Sequence, residues 1–133
     1  MHPVKKFSRE GKKALARVRR ICLALPESAE KISWGTPTFR VKGAKGKIFA
    51  MFQEDHHGDG RLALWCNAPK GAQPVLVASE PKRFFRPPYV GPAGWVGVVL
   101  AAVDDERLSE IVCEAWLVAA PKKIAAALSE DPR

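Results

Sequence analysis

The chain is poor in the residues from which redox, metal and nucleophilic sites are built. Its three cysteines (Cys22, Cys66, Cys113) are far apart and odd in number, with no C-x-x-C spacing. That excludes a disulfide-rich secreted scaffold and gives no zinc-ligand pattern, so three thiols in a reducing compartment are expected. There is no G-x-S-x-G elbow, no Walker loop and no dinucleotide-binding glycine loop, which removes the common hydrolase, NTPase and dehydrogenase signatures. Gly43-Ala44-Lys45-Gly46 has the bare GxxG form of a KH loop, but it lies between two strand patterns rather than two helices. No apolar run approaches the ~20 residues that span a bilayer. No apolar core and small-residue cleavage site follow the basic N-terminus, so cytoplasm is the expected compartment. The amphipathic, acid-poor start shares features with a mitochondrial transit peptide, a reading ranked lower because a small domain needs that apolar face for its own core.

Acidic residues are also scarce at one end. The formal net charge of the 133 residues is +8. Residues 1–20 hold eight of the 22 Lys and Arg and only Glu10 of the 14 acids, so 8 − 1 gives +7 there and 14 − 13 leaves +1 for the rest. The high pI therefore describes one segment and not the whole surface. The length is that of one domain, taken as 1–133 with residues 1–12 as a candidate frayed basic extension.

Helical periodicity covers Val4 to Leu25, with Val4, Phe7, Leu15, Val18, Cys22 and Leu25 on one face and Pro26 as the stop. Strand patterns follow at Pro37–Lys42, Lys47–Glu54 and Arg61–Cys66, joined by short glycine-containing loops; these predict an antiparallel meander. A short helix is expected within Lys70–Glu80. The prolines at 81, 87, 88 and 92 exclude a central strand there. Gly94–Val103 reads as a strand, and Asp104 or Asp105 caps a helix through Leu108, Ile111, Val112, Ala115 and Ala119. Pro121 ends it, and Lys122–Leu128 is a last short helix. The expected class is α+β: a two-layer sandwich, with an antiparallel sheet of about five strands and helices covering one face.

The paired His56 and His57 invite a metal, but neighbours in an extended segment point apart and only His2 remains as a further imidazole. A solvated hairpin tip is the expectation, with no metal, no cofactor and no catalytic group. The carboxylates of the last long helix read as dipole-compatible surface charge. What remains is a basic middle with interspersed aromatics. Lys31, Arg40, Lys42, Lys45 and Lys47 occur without an acid, near Trp34 and Phe39, and Lys82-Arg83-Phe84-Phe85-Arg86 forms a second group. Such groups can follow a phosphate backbone. Trp34, Phe39, Phe49 and Trp95 are expected to fill the core.

The order Leu25-Pro26-Glu27-Ser28, Ser33-Trp34-Gly35-Thr36-Pro37-Thr38-Phe39-Arg40-Val41, Gly46-Lys47-Ile48-Phe49-Ala50-Met51, then Pro88-Tyr89-Val90-Gly91 and Gly94-Trp95-Val96, resembles the MmcQ/YjbR family. The resemblance spans about Ala14 to Leu128. It implies a CyaY-like two-layer sandwich and a DNA-binding role through a double wing of hairpins, with no catalytic residues to carry over. The first wing would be basic, while Glu54, Asp55 and Asp59 would make the second repel phosphate unless the histidines are charged. Weak, largely sequence-tolerant DNA binding follows as the expectation. The contacts would be Arg40, Lys42, Lys45, Lys47, Lys82, Arg83 and Arg86, helped by Lys13 and Arg17 of the first helix. The alternative is a module binding a protein or a small ligand through the sheet or through Pro87–Pro92. Oligomeric state stays open.

Overall fold

The computed structural model describes residues 5–42 and 46–129. Lys45 and the rest of the first hairpin tip lie outside the described residues.

The first helix is shorter than its periodicity. Helix α1 runs Arg9–Cys22, and the side chain of Ser8 caps it by accepting from the Gly11 N–H. Phe7 is not helical; its ring packs edge-on against Phe52 with centroids 5.2 Å apart. The reason lies across the fold, where the Glu54 carboxylate accepts from the Ser8 N–H at 2.9 Å and from the Ser8 hydroxyl. A distant carboxylate thus fixes where the helix begins, satisfying donors that the first turn leaves open.

Strand β1 (Ser28–Ser33) precedes the expected meander of β2 (Thr36–Val41), β3 (Lys47–Glu54) and β4 (Leu62–Cys66). Helix α2 (Ala72–Ser79), the two-residue strand β5 (Phe84–Phe85) and β6 (Val96–Val99) follow, then α3 (Asp105–Ala119) and α4 (Lys122–Ser129). The six strands form one antiparallel sheet in the order β1-β2-β3-β4-β6-β5. The proline-punctuated segment contributes only the edge strand β5, as missing backbone donors require. The strand pattern of 94–103 ends at Val99, because Leu100–Ala102 turns as 3-10 helix.

Helices cover one face. Leu15, Val18 and Cys22 of α1 and Leu108, Val112 and Trp116 of α3 pack on Phe39, Phe49, Phe52, Leu64 and Val98. The Trp116 indole donates to the Pro26 carbonyl at 2.9 Å, tying the Leu25-Pro26 stop to the core. Asp104 caps α3 through the Arg107 N–H. Arg17 and Arg20 of α1 both pair with Asp105, and Arg17 also donates to the carbonyls of Leu100 and Val103.

Strand β3 carries a bulge. Phe39 pairs with Ala50 but Arg40 with Ile48, so Phe49 is an extra residue. Phe49, Ala50 and Phe52 all belong to the helix-covered core, while Met51 turns to the opposite face. On that face Met51, Ala63, Trp65 and Phe85 make a smaller cluster, with no helix packed on it among the described residues. Phe85 lies flat across Gly97, where a Cβ would come within 2.3 Å of the ring, and the Arg61 guanidinium sits 4.0 Å above it.

Candidate functional site

The uncovered face of the sheet holds a cleft of about 540 Å³. Its floor is Met51, Gln53 and Trp65, from β3 and β4. Its rim comes from four connections: Lys5, the turn Trp34-Gly35, the pair His56-His57 and Tyr89-Val90. The size suits a small organic molecule.

Four of the rim residues, Trp34, Gly35, His57 and Tyr89, have left-handed backbone. Trp34 and Gly35 join β1 to β2 as a two-residue turn, with φ of 54° and 78°. Positive φ at both positions matches the right-handed twist of a hairpin but disfavours any side chain with a Cβ. Asp55 (φ 52°), His57 (φ 49°) and Tyr89 (φ 62°) are also left-handed. Trp34 is 64% exposed and Tyr89 74%. Trp34 therefore does not fill the core as its composition implied; Phe39 and Phe49 do, and Trp95 is half-buried.

The loop 55–60 is a 3-10 turn at His56–Gly58 and not an extended tip. Its two imidazoles accordingly stay together, with ring centroids 4.1 Å apart. His56 meets Trp65 at 4.8 Å, and His57 Nε2 lies 3.4 Å from the Tyr89 hydroxyl. His56 is half-buried. Burial chiefly lowers its pKa below the ordinary 6.5, the charge of His57 lowers it further, Asp59 opposes them, and Lys5 adds the smallest lowering effect. Protonation of this imidazole near neutrality is thus disfavoured. Among the described residues no group of three His, Cys, Asp or Glu could hold a metal ion.

The loop acids serve the loop. Asp55 accepts from the Gly60 N–H at 2.7 Å and Asp59 from the Arg61 N–H at 2.8 Å, which is ordinary turn chemistry. Lys5 Nζ donates to the Glu54 carbonyl, and the Lys5 N–H to the Gly35 carbonyl at 3.0 Å. The Trp65 side chain is 2% exposed, and its indole N–H has no acceptor among the described residues.

The cations singled out from the sequence fall in three places. Lys42 and Lys47 are exposed where the β2–β3 hairpin leaves the sheet. Arg40 closes its base, donating to Gly46 O at 2.7 Å and Ser33 Oγ at 3.0 Å. Lys82, Arg83 and Arg86 flank β5; Arg83 donates to Ala102 O at 3.1 Å and lies 3.5 Å from Glu80, while the Arg86 stem lies over Gly91. The carbonyl of Arg83 accepts from Val99, at the Glu54 end of the sheet. Lys47 and Arg83 therefore stand at opposite ends, about 20 Å apart along the strands. Lys13 and Arg17 border a separate groove of about 890 Å³ between α1 and residues 100–105. There Arg17 and Arg20 are engaged by Asp105.

Fold and site together define a two-layer α+β domain with one face of its sheet packed and the other open as an aromatic cleft. The chain belongs to the YjbR family, whose model matches residues 23–118. A crystal structure of Deinococcus radiodurans protein DR2400, a DUF419 domain, superposes with a TM-score of 0.69 at 21% identity, covering 86% of this chain and 87% of that one. That likeness extends to the fold. No curated protein matches the sequence. No described helix is long and apolar enough to cross a membrane.

Proposed function

We propose that this chain is a non-catalytic binding module that seats its ligand in the open-face cleft. The observation that carries the reading is Trp34. A two-residue turn with both φ values positive is ordinarily filled by Asn-Gly or Gly-Gly. A tryptophan at the first position costs about 1–2 kcal/mol in backbone conformation. Being 64% exposed, it returns little of that by burial. A residue that breaks its local rule without a folding gain marks a functional position. Tyr89, left-handed and 74% exposed across the same cleft, repeats the pattern.

The test is a nuclear magnetic resonance screen of flat aromatic compounds that follows the four tryptophan indole N–H signals. Binding in the cleft should move Trp65 and Trp34 and leave Trp116, whose indole is committed to Pro26. Trp34→Ala should weaken every hit. A screen in which no compound moves Trp34 or Trp65 would end the reading.

Duplex DNA is the second reading, and one observation favours it. The exposed Lys42 and Lys47 flank a hairpin tip whose sequence adds Lys45 and no acid. Contacts of this kind hold phosphates without reading sequence. Log affinity should then fall linearly with log salt, with a slope of about 0.9 per phosphate contacted. Replacing Lys42 and Lys47 by Ala should lower affinity alike for all sequences. No binding at low salt would remove DNA and leave the cleft untouched.

A further inference from the structure

We infer that the open face seats single-stranded RNA, an inference that rests on the cleft being the binding site and names its occupant. The charges of the molecule divide by face. Every ion pair among the described residues is made with Asp105, Glu30 or Glu80. Asp105 begins α3, Glu30 reaches Arg19 of α1, and Glu80 reaches the Arg107 that stands over the core ring of Phe84. All three acids thus serve the helical side. On the open face no strand position among the described residues carries a carboxylate. Lys5, Lys31, Arg40 and Arg61 make no ion pair there.

Strand register sets these groups in line. Lys31 stands opposite Thr38, Thr38 opposite Met51, Met51 opposite Trp65, Trp65 opposite Gly97 and Gly97 opposite Phe85. Opposite residues share a face, so these six make one row across the whole sheet. An exposed cation marks each end: Lys31 on β1, and Arg61, whose guanidinium lies 4.0 Å over Phe85. At the spacing of neighbouring strands the row is about 24 Å long. That is room for about four nucleotides, the small end of single-strand sites. The cleft floor lies in its middle, and Trp34 and Tyr89 stand exposed on the rim. Exposed rings beside unpaired cations fit a strand whose bases stack and whose phosphates are neutralised. A duplex keeps its base faces stacked inside and would leave both rings unused. A proline-rich peptide would use the rings and leave Lys31 and Arg61 unmatched. Gln53 of the floor selects the sugar. Its amide makes no hydrogen bond among the described residues and is not sealed from solvent. It offers both donors and an acceptor. A ribose 2′-hydroxyl answers both kinds, and deoxyribose answers neither.

Fluorescence anisotropy with the full chain tests this, using labelled strands of about twelve nucleotides. The probes are oligouridylate, oligodeoxyuridylate, an abasic strand, oligouridylate annealed to oligoadenylate, and a proline-rich peptide. Oligouridylate should bind about tenfold more tightly than the abasic strand or the duplex, the order of one stacked base. It should bind about threefold more tightly than oligodeoxyuridylate, the order of one neutral hydrogen bond. These comparisons need no variant. Gln53→Met should erase the ribose preference and leave oligodeoxyuridylate within about twofold. Trp34→Ala and Tyr89→Ala should each weaken oligouridylate about tenfold. Lys31→Met and Arg61→Met should each lower the salt slope by about 0.7, the single-strand value per phosphate, whereas Lys42→Ala and Lys47→Ala should leave it unchanged. Equal affinity for the ribose and deoxyribose strands overturns the RNA, as does equal binding of the abasic strand or the duplex, or tightest binding of the peptide. Should Trp34 and Trp65 move in the aromatic screen while no strand binds, the RNA is refuted and the cleft stands. Silence in both experiments refutes the cleft as well.

Discussion

The imidazole of His56 stands edge-on to the indole of Trp65, with centroids 4.8 Å apart and planes at 64°. Charging that ring means charging the rim of an apolar floor, next to His57 and within reach of Lys5. Burial chiefly, then the charge of His57, holds its pKa below 6.5 against the opposing charge of Asp59, with Lys5 adding least. The unfolded chain therefore takes up this proton more readily than the folded one. Stability rises with pH where the unfolded state binds more protons. His56 thus contributes fully above pH 6.5, and its contribution falls as pH drops from there through the lowered folded value. Urea midpoints measured between pH 8 and pH 5 should decline below 6.5, and His56→Gln should flatten that decline. An unchanged slope in the variant would assign the titration to another group.

Trp34→Asn places the residue preferred for this turn at φ 54°. It should stabilise the protein by up to about 1 kcal/mol, the cost of a left-handed bulky residue being relieved. The same change should abolish cleft binding. Denaturation and ligand titration on one sample check both; a loss of stability would mean the indole packs more than its exposure implies.

Gly97→Ala should destabilise by about 1–3 kcal/mol, the usual range for overpacking. Its Cβ would fall within 2.3–2.6 Å of three Phe85 ring atoms. The Arg61 guanidinium 4.0 Å above that ring keeps it from lifting freely. Adding Phe85→Leu should recover part of the loss, whereas additive effects of the two changes would show that the contact is slack.

Ser8→Ala should cost about 1 kcal/mol, as for a lost N-cap. Glu54→Gln should cost a similar amount by weakening its bonds to Ser8 N–H and Oγ. Because one carboxylate serves the other's cap, the double variant should cost less than the sum. Additivity in a thermal double-mutant cycle would separate them.

The core was legible where period and burial coincide. Helix α3 and the β2–β4 meander follow from apolar spacing, since each has one packed face, while cap chemistry narrowed the start of α3 to Asp104 or Asp105, of which Asp104 is the cap. Strand β1 escaped because Ser-Ala-Glu-Lys-Ile-Ser is half-buried at most and its turn is Trp-Gly instead of Asn-Gly. The cleft escaped for a different reason. Lys5, Trp34, His56, Trp65 and Tyr89 are distant in sequence and meet only through strand order. One local signal was available: a tryptophan directly before glycine, between the polar segment 28–33 and the strand pattern that holds Phe39 and Val41, where turn chemistry asks for asparagine. The basic residues were conspicuous by number, yet number says nothing of place. Arg17 and Arg83 both spend donors on carbonyls of the Leu100–Val103 turn.

The extra residue at Phe49 sets a parity for all that follows it in β3. Residues before the bulge and after it alternate out of step, so that Ile48 and Met51, three apart, both line the open face while Phe49 and Phe52 both face the helices. Deleting one residue between Ile48 and Met51 would place them two apart, on the same face by simple alternation, and would keep the Thr38–Met51 and Arg40–Ile48 pairings while removing one side chain from the core. Two lineages of this fold could therefore differ by a single codon there and still exchange their cleft strands by recombination, with Ile48 and Met51 on the open face in both.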